Sequence, residues 1–442
     1  MRPAFGPLVR AACALPGILA TAAVLGPAPA RADEAPEQGV FELKLSGYQD
    51  GQTAGAGTNT ASSSSLTQRA RAQGNALHTV SAASASSGGG STGGGSTGST
   101  GSSNSGGGDG GLDWGLDLVH RVRVTSPSVY ALLPVGRQWS VEGSATVDAV
   151  SGASPSYYTD TGSFTSFKDT RRAADARLTR YFDRQVLALG LSTSHESDYV
   201  SNALSLDGRW STPDQNTTFN LGLGLTHDRI NPSNAIVVDA RKTTREFQLG
   251  VTQAVNARDL VQAGYTRSLQ SGYLDDPYKS WDQRPDRRDA QVLQLRWNHA
   301  LAGSALKTGY RFYRDSWGIR SHTLDLAWAI PVGASGRSQF SPTLRWATQN
   351  AARFYVDPNS ASATYPAPST SATDTTLDQR LAAWGALTVG GKYEWPLDRD
   401  WTMDSRLEVY RQQAGLRLIG EGSPGLAPLT ALIWQVGVQR RF

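Results

Sequence analysis

Residues Leu429 to Phe442 read LTALIWQVGVQRRF. Trp434, Val436, Val438 and Phe442 fall on one side of a two-residue repeat, with Gln435, Gly437, Gln439 and Arg441 on the other. A period of two belongs to a strand with one apolar and one polar face, because successive side chains point to opposite faces of a pleated ribbon.

Upstream the same alternation recurs. Phe41, Leu43 and Leu45 alternate with Glu42, Lys44 and Ser46 and predict a first strand. A second carries Leu116, Leu118, Val122 and Val124 opposite Arg121 and Arg123, and a third carries Trp139, Val141, Ala145 and Val147 opposite Glu142, Thr146 and Asp148. Ala174 to Phe182 is a fourth, and Leu187, Leu189 and Leu191 mark a fifth. Similar runs centred near Leu206, Leu223, Leu249, Ala263, Leu295, Tyr310, Leu326, Leu344, Val389 and Leu407 lead to the C-terminal segment. The sixteen predicted strands are an even number, as an up-and-down barrel with both ends on one side requires.

Two further patterns support this count. Alternate connections are short (183–185, 211–217, 256–258, 302–304, 396–399), whereas most of the others are long (50–111, 150–172, 228–243, 270–288, 350–379). The connections at 194–198 and 316–320 are short exceptions. Trp139, Trp210, Trp297, Trp328, Trp395 and Trp401 fall at the short-connection end, and Trp114, Trp346 and Trp384 at the other. Amphipathic rings collect at membrane interfaces, so two girdles are expected. Arg180 and Arg440 interrupt the apolar face near the short-connection end, where a charge costs about 0–1 kcal/mol. The fold class expected is all-β: a transmembrane up-and-down antiparallel β-barrel of about sixteen strands.

Residues 1–32 read as a signal peptide, with Arg2 and Arg10, an apolar run from Ala11 to Leu25, and Ala30-Arg31-Ala32 before the expected cleavage. Removing Arg2, Arg10 and Arg31 from 42 basic residues leaves 39 against 38 acidic ones. A near-neutral chain excludes nucleic acid as a partner, because counterion release needs a concentrated basic surface. The one cysteine, Cys13, lies in the leader, so no disulfide or thiolate chemistry is expected of residues 33–442. Residues 50–111 are nearly all Gly, Ser, Thr, Ala and Asn. They bury too little apolar surface to offset chain entropy and are expected to form a disordered loop outside the cell.

The inward face is polar. Arg121, Arg123, Arg177, Arg209, Arg296, Arg311, Arg345 and Arg406, with Glu142 and Glu246, are the candidates for lining the lumen and setting selectivity. A salt-bridged interior that conducts little fits the same charge balance. Ala188, Gly190, Gly222, Gly224, Gly250 and Gly264 leave one sector of wall nearly bare, predicting an inward-folded loop or a permeation path. His195-Glu196 and His227-Asp228 could serve a metal or a hydrolytic site, but rim histidines are more often simply solvated. No catalytic residue, metal or cofactor is assigned. Asp148-Ala-Val-Ser151-Gly152-Ala153-Ser154-Pro155, with Asp169 and Arg171, reads as a structured loop: Gly152 for a tight reversal, Ser151 and Ser154 for backbone donors, Pro155 to end the pairing.

These last residues carry a resemblance. SGASP after an acidic strand end, the downstream Asp169-x-Arg171 and the strand series to a terminal Phe resemble the bacterial outer-membrane proteins grouped as domain of unknown function 3570. The Gly/Ser insertion departs from that pattern. The resemblance implies location in the outer membrane, no established activity, and a periplasmic redox partner, since relatives are often encoded beside thioredoxin-like and flavin-transferring proteins. In barrels of this kind the assembly machinery reads the last strand, which makes Phe442 the expected assembly signal. The functional expectation is a channel or transport protein for small polar solutes. The alternative is a scaffold barrel with a plugged lumen that binds a periplasmic or surface partner.

Overall fold

A computed structural model describes residues 35–52, 119–155, 164–279, 282–333, 336–357 and 373–442. Sixteen strands form one closed antiparallel barrel. In chain order they are β1 (Val40–Gln52), β2 (Val119–Val135), β3 (Trp139–Pro155), β4 (Phe164–Tyr181), β5 (Gln185–His195), β6 (Tyr199–Ser211), β7 (Thr217–Ile230) and β8 (Ala240–Ala254). The second half comprises β9 (Asp259–Gly272), β10 (Arg287–Leu301), β11 (Ser304–Asp315), β12 (Arg320–Val332), β13 (Ser338–Gln349), β14 (Trp384–Pro396), β15 (Trp401–Gln413) and β16 (Leu429–Arg441). Each strand pairs with its sequence neighbours, and β1 pairs with β16 from Val40↔Arg441 to Gln52↔Leu429. Closure leaves no edge strand with unpaired backbone groups.

Register fixes which residues share a face. Leu43, Leu45, Leu204, Leu206, Leu221, Leu223, Leu293, Leu295, Leu324 and Leu326 are exposed on the outside of the wall. Among the described residues no packed core lies beyond them, so the apolar belt faces outward and the alternate, polar residues face the lumen. The seam is closed by aromatic rings. Gly47 stands opposite Trp434, and a Cβ there would run into the indole, so Trp434 lies flat over the glycine. Phe442 exchanges backbone hydrogen bonds with Gly39 (2.8 and 3.1 Å), and a Cβ on Gly39 would approach its ring to 2.7 Å.

The two arginines expected to interrupt the apolar face at the short-connection end find partners in the girdle. Arg180 lies 4.7 Å from the Trp139 ring centre and 5.1 Å from that of Phe182, and Arg440 lies 5.4 Å from that of Trp401. Cation–π contact keeps the guanidinium at the interface while its stem covers apolar surface.

Several boundaries differ from the sequence reading. β1 extends through Asp50 to Gln52, where a loop was expected, because Asp50 Oδ1 accepts the Val122 N–H (2.9 Å) beside a register shift and so replaces a ladder bond. β3 and β4 continue their pairing to Pro155↔Phe164, so Gly152 is a strand residue facing Val122 and Phe167 and makes no reversal. The side chains of Gly152, Ala153, Ser154 and Pro155 lie outside the described ones, as do the leader 1–32, Trp114, Leu116, Leu118 and most of 50–111. Trp384 belongs to no girdle: its inward position and burial place it in an apolar cluster under the loops.

Candidate functional site

Inward alternation brings most predicted lumen residues together. Arg177 and Asp207 pair across β4 to β6 (3.1 Å), and Arg406 pairs with Glu408 on β15 (2.6 Å). Arg345 binds Asp325 directly across the β12–β13 ladder. Glu142 accepts the Tyr130 hydroxyl (3.2 Å), and Arg209, Glu246, Arg296 and Arg311 occupy inward positions of β6, β8, β10 and β11. Arg123 does not join them. It pairs with Gln49, which shares the face of Leu43 and Leu45, so Arg123 projects outward. The side chain of Arg121 is outside those described.

Val122 and Val124, assigned to the lipid face, are instead buried on the inward side of β2. The reason lies further along this strand, where Val129, Leu133 and Val135 set the outward phase and Ser126, Ser128 and Tyr130 the inward one. Apolar residues at the first positions of β2 therefore misled the alternation.

The Asp148 motif is a strand-borne clamp. Asp148 accepts a bond from Ser126 and pairs with Arg171 (2.9 Å), whose Nε donates to Ser194 (2.8 Å). Four strands, β2 to β5, are tied by this one carboxylate and guanidinium. Ser151 stands on the outward side opposite Arg123, away from the clamp. Asp169, Glu196 and Asp198 bring carboxylate oxygens within 4.8 Å of one another, with Arg171 Nε 3.9 Å from Glu196. His195 and His227 stand on the outward face, bonded to Thr193 (3.0 Å) and Thr243 (3.3 Å), whereas Asp228 points inward to Lys242 (2.7 Å). The histidine and its acidic neighbour are thus separated by the wall.

Sequence reading missed a cap. Residues 273–279, 282–286, 316–319, 350–357, 373–383 and 414–428 meet at the long-connection end and bury Leu274, Trp317, Ile319, Tyr355, Leu381 and Leu426 against inward residues Trp384, Ala386, Tyr410, Leu429 and Ala431. Trp317 packs edge-on against Phe354 (5.3 Å) and under the Arg288 guanidinium (4.2 Å), which is paired with Asp315 (2.6 Å). Beside this apolar cluster lies an ionic one. Arg284 Nη2 binds Asp378 (2.8 Å), Arg380 binds Asp276 (2.7 Å) and Asp378, and Thr376 donates to Asp282. A two-residue bridge, Gln283 with Thr375 (2.8 and 2.9 Å), joins loop 273–286 to loop 350–383.

Asp378 is 1% exposed. Burial alone would raise its pKa, but Arg380 and Arg284 outweigh it and hold the carboxyl well below the usual range. Asp282 moves the other way: burial pushes it up, Asp378 adds repulsion, and Arg284 offsets only part. Tyr278, in the same loop, donates to Asp198 (2.7 Å) and accepts the Ser233 N–H (2.8 Å), which links the cap to the rim of β5 to β8. Burial, with the Asp198 carboxylate, pushes its hydroxyl up to about 12, so it remains a donor at neutral pH. The signal for this cap was present in LDDPYKSWDQRPDRRD, residues 274–289, where charges of both signs are too dense for a simply solvated loop.

The sequence model of the family described as protein of unknown function (DUF3570) matches residues 6–432. The chain belongs to this family. No curated protein matches it. Among solved structures it is similar to a bacterial polysaccharide outer membrane secretin (10% identity, 91% of this chain and 98% of that one, TM-score 0.43). It is also similar to a Pseudomonas aeruginosa FadL homologue (12% identity, 91% and 90%, TM-score 0.39) and to CdiB from Acinetobacter baumannii (7% identity, 90% and 60%, TM-score 0.42).

Proposed function

We propose that the protein is an outer-membrane channel or transport barrel for small polar solutes. The observation that carries this reading is the division of one closed wall into an outward belt of Leu, Val and Trp and an inward face of ionisable side chains. An apolar belt suits lipid, and a charged interior needs water or counter-charges, so the lumen is the solute's route. Glycines on β5 to β9 keep the inward side chains few on one side, while the cap occupies the opposite rim. Its partners in this reading are outer-membrane lipid and the barrel-assembly machinery, and its role is not enzymatic.

A second reading, a scaffold barrel whose lumen is plugged and which binds a periplasmic or surface partner, is favoured by the buried Asp276, Asp282, Arg284, Asp378 and Arg380 network. Reconstitution into planar bilayers separates the two. Stable conductance steps are expected of the channel. Silent insertion of protein with heat-modifiable gel mobility, the sign of a folded barrel, would sink the channel reading and leave the scaffold.

A further inference from the structure

Inward cations on most of the wall are matched by carboxylates. Lys44 holds Glu42 (2.6 Å), Arg171 holds Asp148 (2.9 Å), Arg177 holds Asp207 (3.1 Å), Lys242 holds Asp228 (2.7 Å), Lys392 holds Glu394 (2.8 Å) and Arg406 holds Glu408 (2.6 Å). The sector β10 to β13 is different. Its inward positions carry Arg288, Arg296, Lys307, Arg311 and Arg345 but only two carboxylates, Asp315 and Asp325. Arg288 is paired with Asp315 and Arg345 with Asp325, and across the sector the cations outnumber the carboxylates by three.

These cations are neighbours. Lys307, Gly309 and Arg311 are successive inward positions of β11, Arg296 is paired with Gly309, and Asp325 is paired with Gly309 from the other side. Adjacent strands lie about 4.8 Å apart, so these charges surround the side-chain-free position at Gly309, with the Asp325 carboxylate the one anion beside it among the described residues. A cavity of about 60 Å³ opens there, bordered by Arg296, Arg311 and Arg345 with Gln294, Thr323 and Asp325. Arg296 and Lys307 make no ion pair or hydrogen bond among the described residues. The flanking strand β9 presents Gln262, Gly264, Thr266 and Ser268 to the lumen and supplies no counter-charge.

We propose that this sector is a binding step for a small carboxylate solute, whose head group enters the cavity at Gly309 and is held by Arg296 and Arg311, with Lys307 adding charge at its mouth. A planar guanidinium matches the two oxygens of a carboxylate, and the low dielectric of the wall strengthens the contact. Asp325 engages Arg345 and borders the same cavity, so it fixes that arginine while the surplus of cations keeps the sector positive. Gln294 and Thr323 add neutral donors. Phosphate shares this oxyanion chemistry, and competition between the two anions distinguishes them.

This inference deepens the channel reading, and its test has one arm that does not depend on conduction. Ligand-observed NMR with sodium benzoate, on the purified full-length barrel in detergent, is expected to show binding that weakens about tenfold or more in Arg296→Gln and in Arg311→Gln. Arg177→Gln, on the opposite wall, should bind as the wild type does. Heat-modifiable mobility confirms that each variant is folded. In bilayers under a KCl gradient the wild type is expected to be anion-selective, and Lys307→Glu with Arg296→Glu to shift the reversal potential toward cations. Conductance with unchanged selectivity and no benzoate binding would overturn the carboxylate site and spare the channel. Benzoate binding without conductance would keep the site and remove the channel. Inorganic phosphate binding more tightly than benzoate at the same residues would overturn the carboxylate assignment.

Discussion

Two sectors of one barrel use the same two-residue alternation to opposite ends. On β5 to β9 the inward positions include Ala188, Gly190, Gly222, Gly224, Gly250 and Gly264, overlain by polar neighbours such as Ser205, Asp207 and Glu246, and among the described residues they join no buried apolar cluster. On β14 to β16 they include Trp384, Tyr410, Leu429 and Ile433, and four loops descend onto them. An apolar inward residue at the rim recruits a cover because burying a side chain of that size contributes roughly 1.5–3 kcal/mol. A glycine recruits none. The outward belt is alike in both sectors, so side-chain size on the inward face alone separates a covered rim from an open wall.

The contrast breaks most severely at the ionic cluster. Asp378→Ala removes the carboxylate shared by Arg284 and Arg380 and leaves each with one partner, Asp282 and Asp276; losing these buried charge-assisted bonds should cost about 3 kcal/mol. The cap should open while the barrel persists, read as rapid proteolysis within 373–383 with unchanged heat-modifiable mobility. Intact protection would detach the cluster from the cap's stability.

Acid should act on the same place with a sign that can be worked out. Asp378 has a folded pKa below its unfolded value, so its stabilisation is complete above the ordinary carboxylate range and is lost as pH falls beneath it. Asp282 has a raised folded pKa, so protonating it on mild acidification relieves a buried charge. Near-UV circular dichroism of the cap tryptophans should therefore hold through mildly acid pH and collapse only below the ordinary carboxylate range.

Smaller effects come from matched substitutions in the two sectors. Ala386→Phe overpacks the cap and should cost about 1–3 kcal/mol. Gly264→Phe enters space where a new Cβ meets nothing nearer than 3.7 Å, and should change stability little while lowering single-channel conductance. Equal conductance in Gly264→Phe would move the permeation path away from the bare wall. The smallest change is expected on the shared outer face, where Arg180→Ala removes the contacts with Trp139 and Phe182 for about 0.5–1 kcal/mol, read as a small fall in the thermal midpoint in detergent.

Much of the barrel was legible in sequence because the strand period is local. Leu43 with Leu45, Leu221 with Leu223 and Val436 with Val438 announce their faces within a few residues, and the strand count and connection asymmetry follow from them. The lumen candidates on β4, β6, β8, β10, β11, β13 and β15 follow from the same alternation. The alternation failed only at the start of β2, where Val122 and Val124 pack inward and Arg123 turns out. Local pattern cannot foresee this, since an apolar residue at a rim is buried equally well by lipid or by protein.

What the sequence by itself determined, then, is the wall: sixteen strands, their faces, and the short and long ends. Tertiary structure alone decided the interior. Arg284 and Asp378 are separated by 94 residues and Arg380 and Asp276 by 104, yet each pair is in direct contact. Arg296, Lys307, Arg311 and Arg345 looked charge-balanced along the chain and became a cationic sector only when register set β10 to β13 side by side. Alternation is a property of neighbouring residues, whereas cap and sector depend on Coulomb and packing terms between residues that only the closed barrel brings within reach.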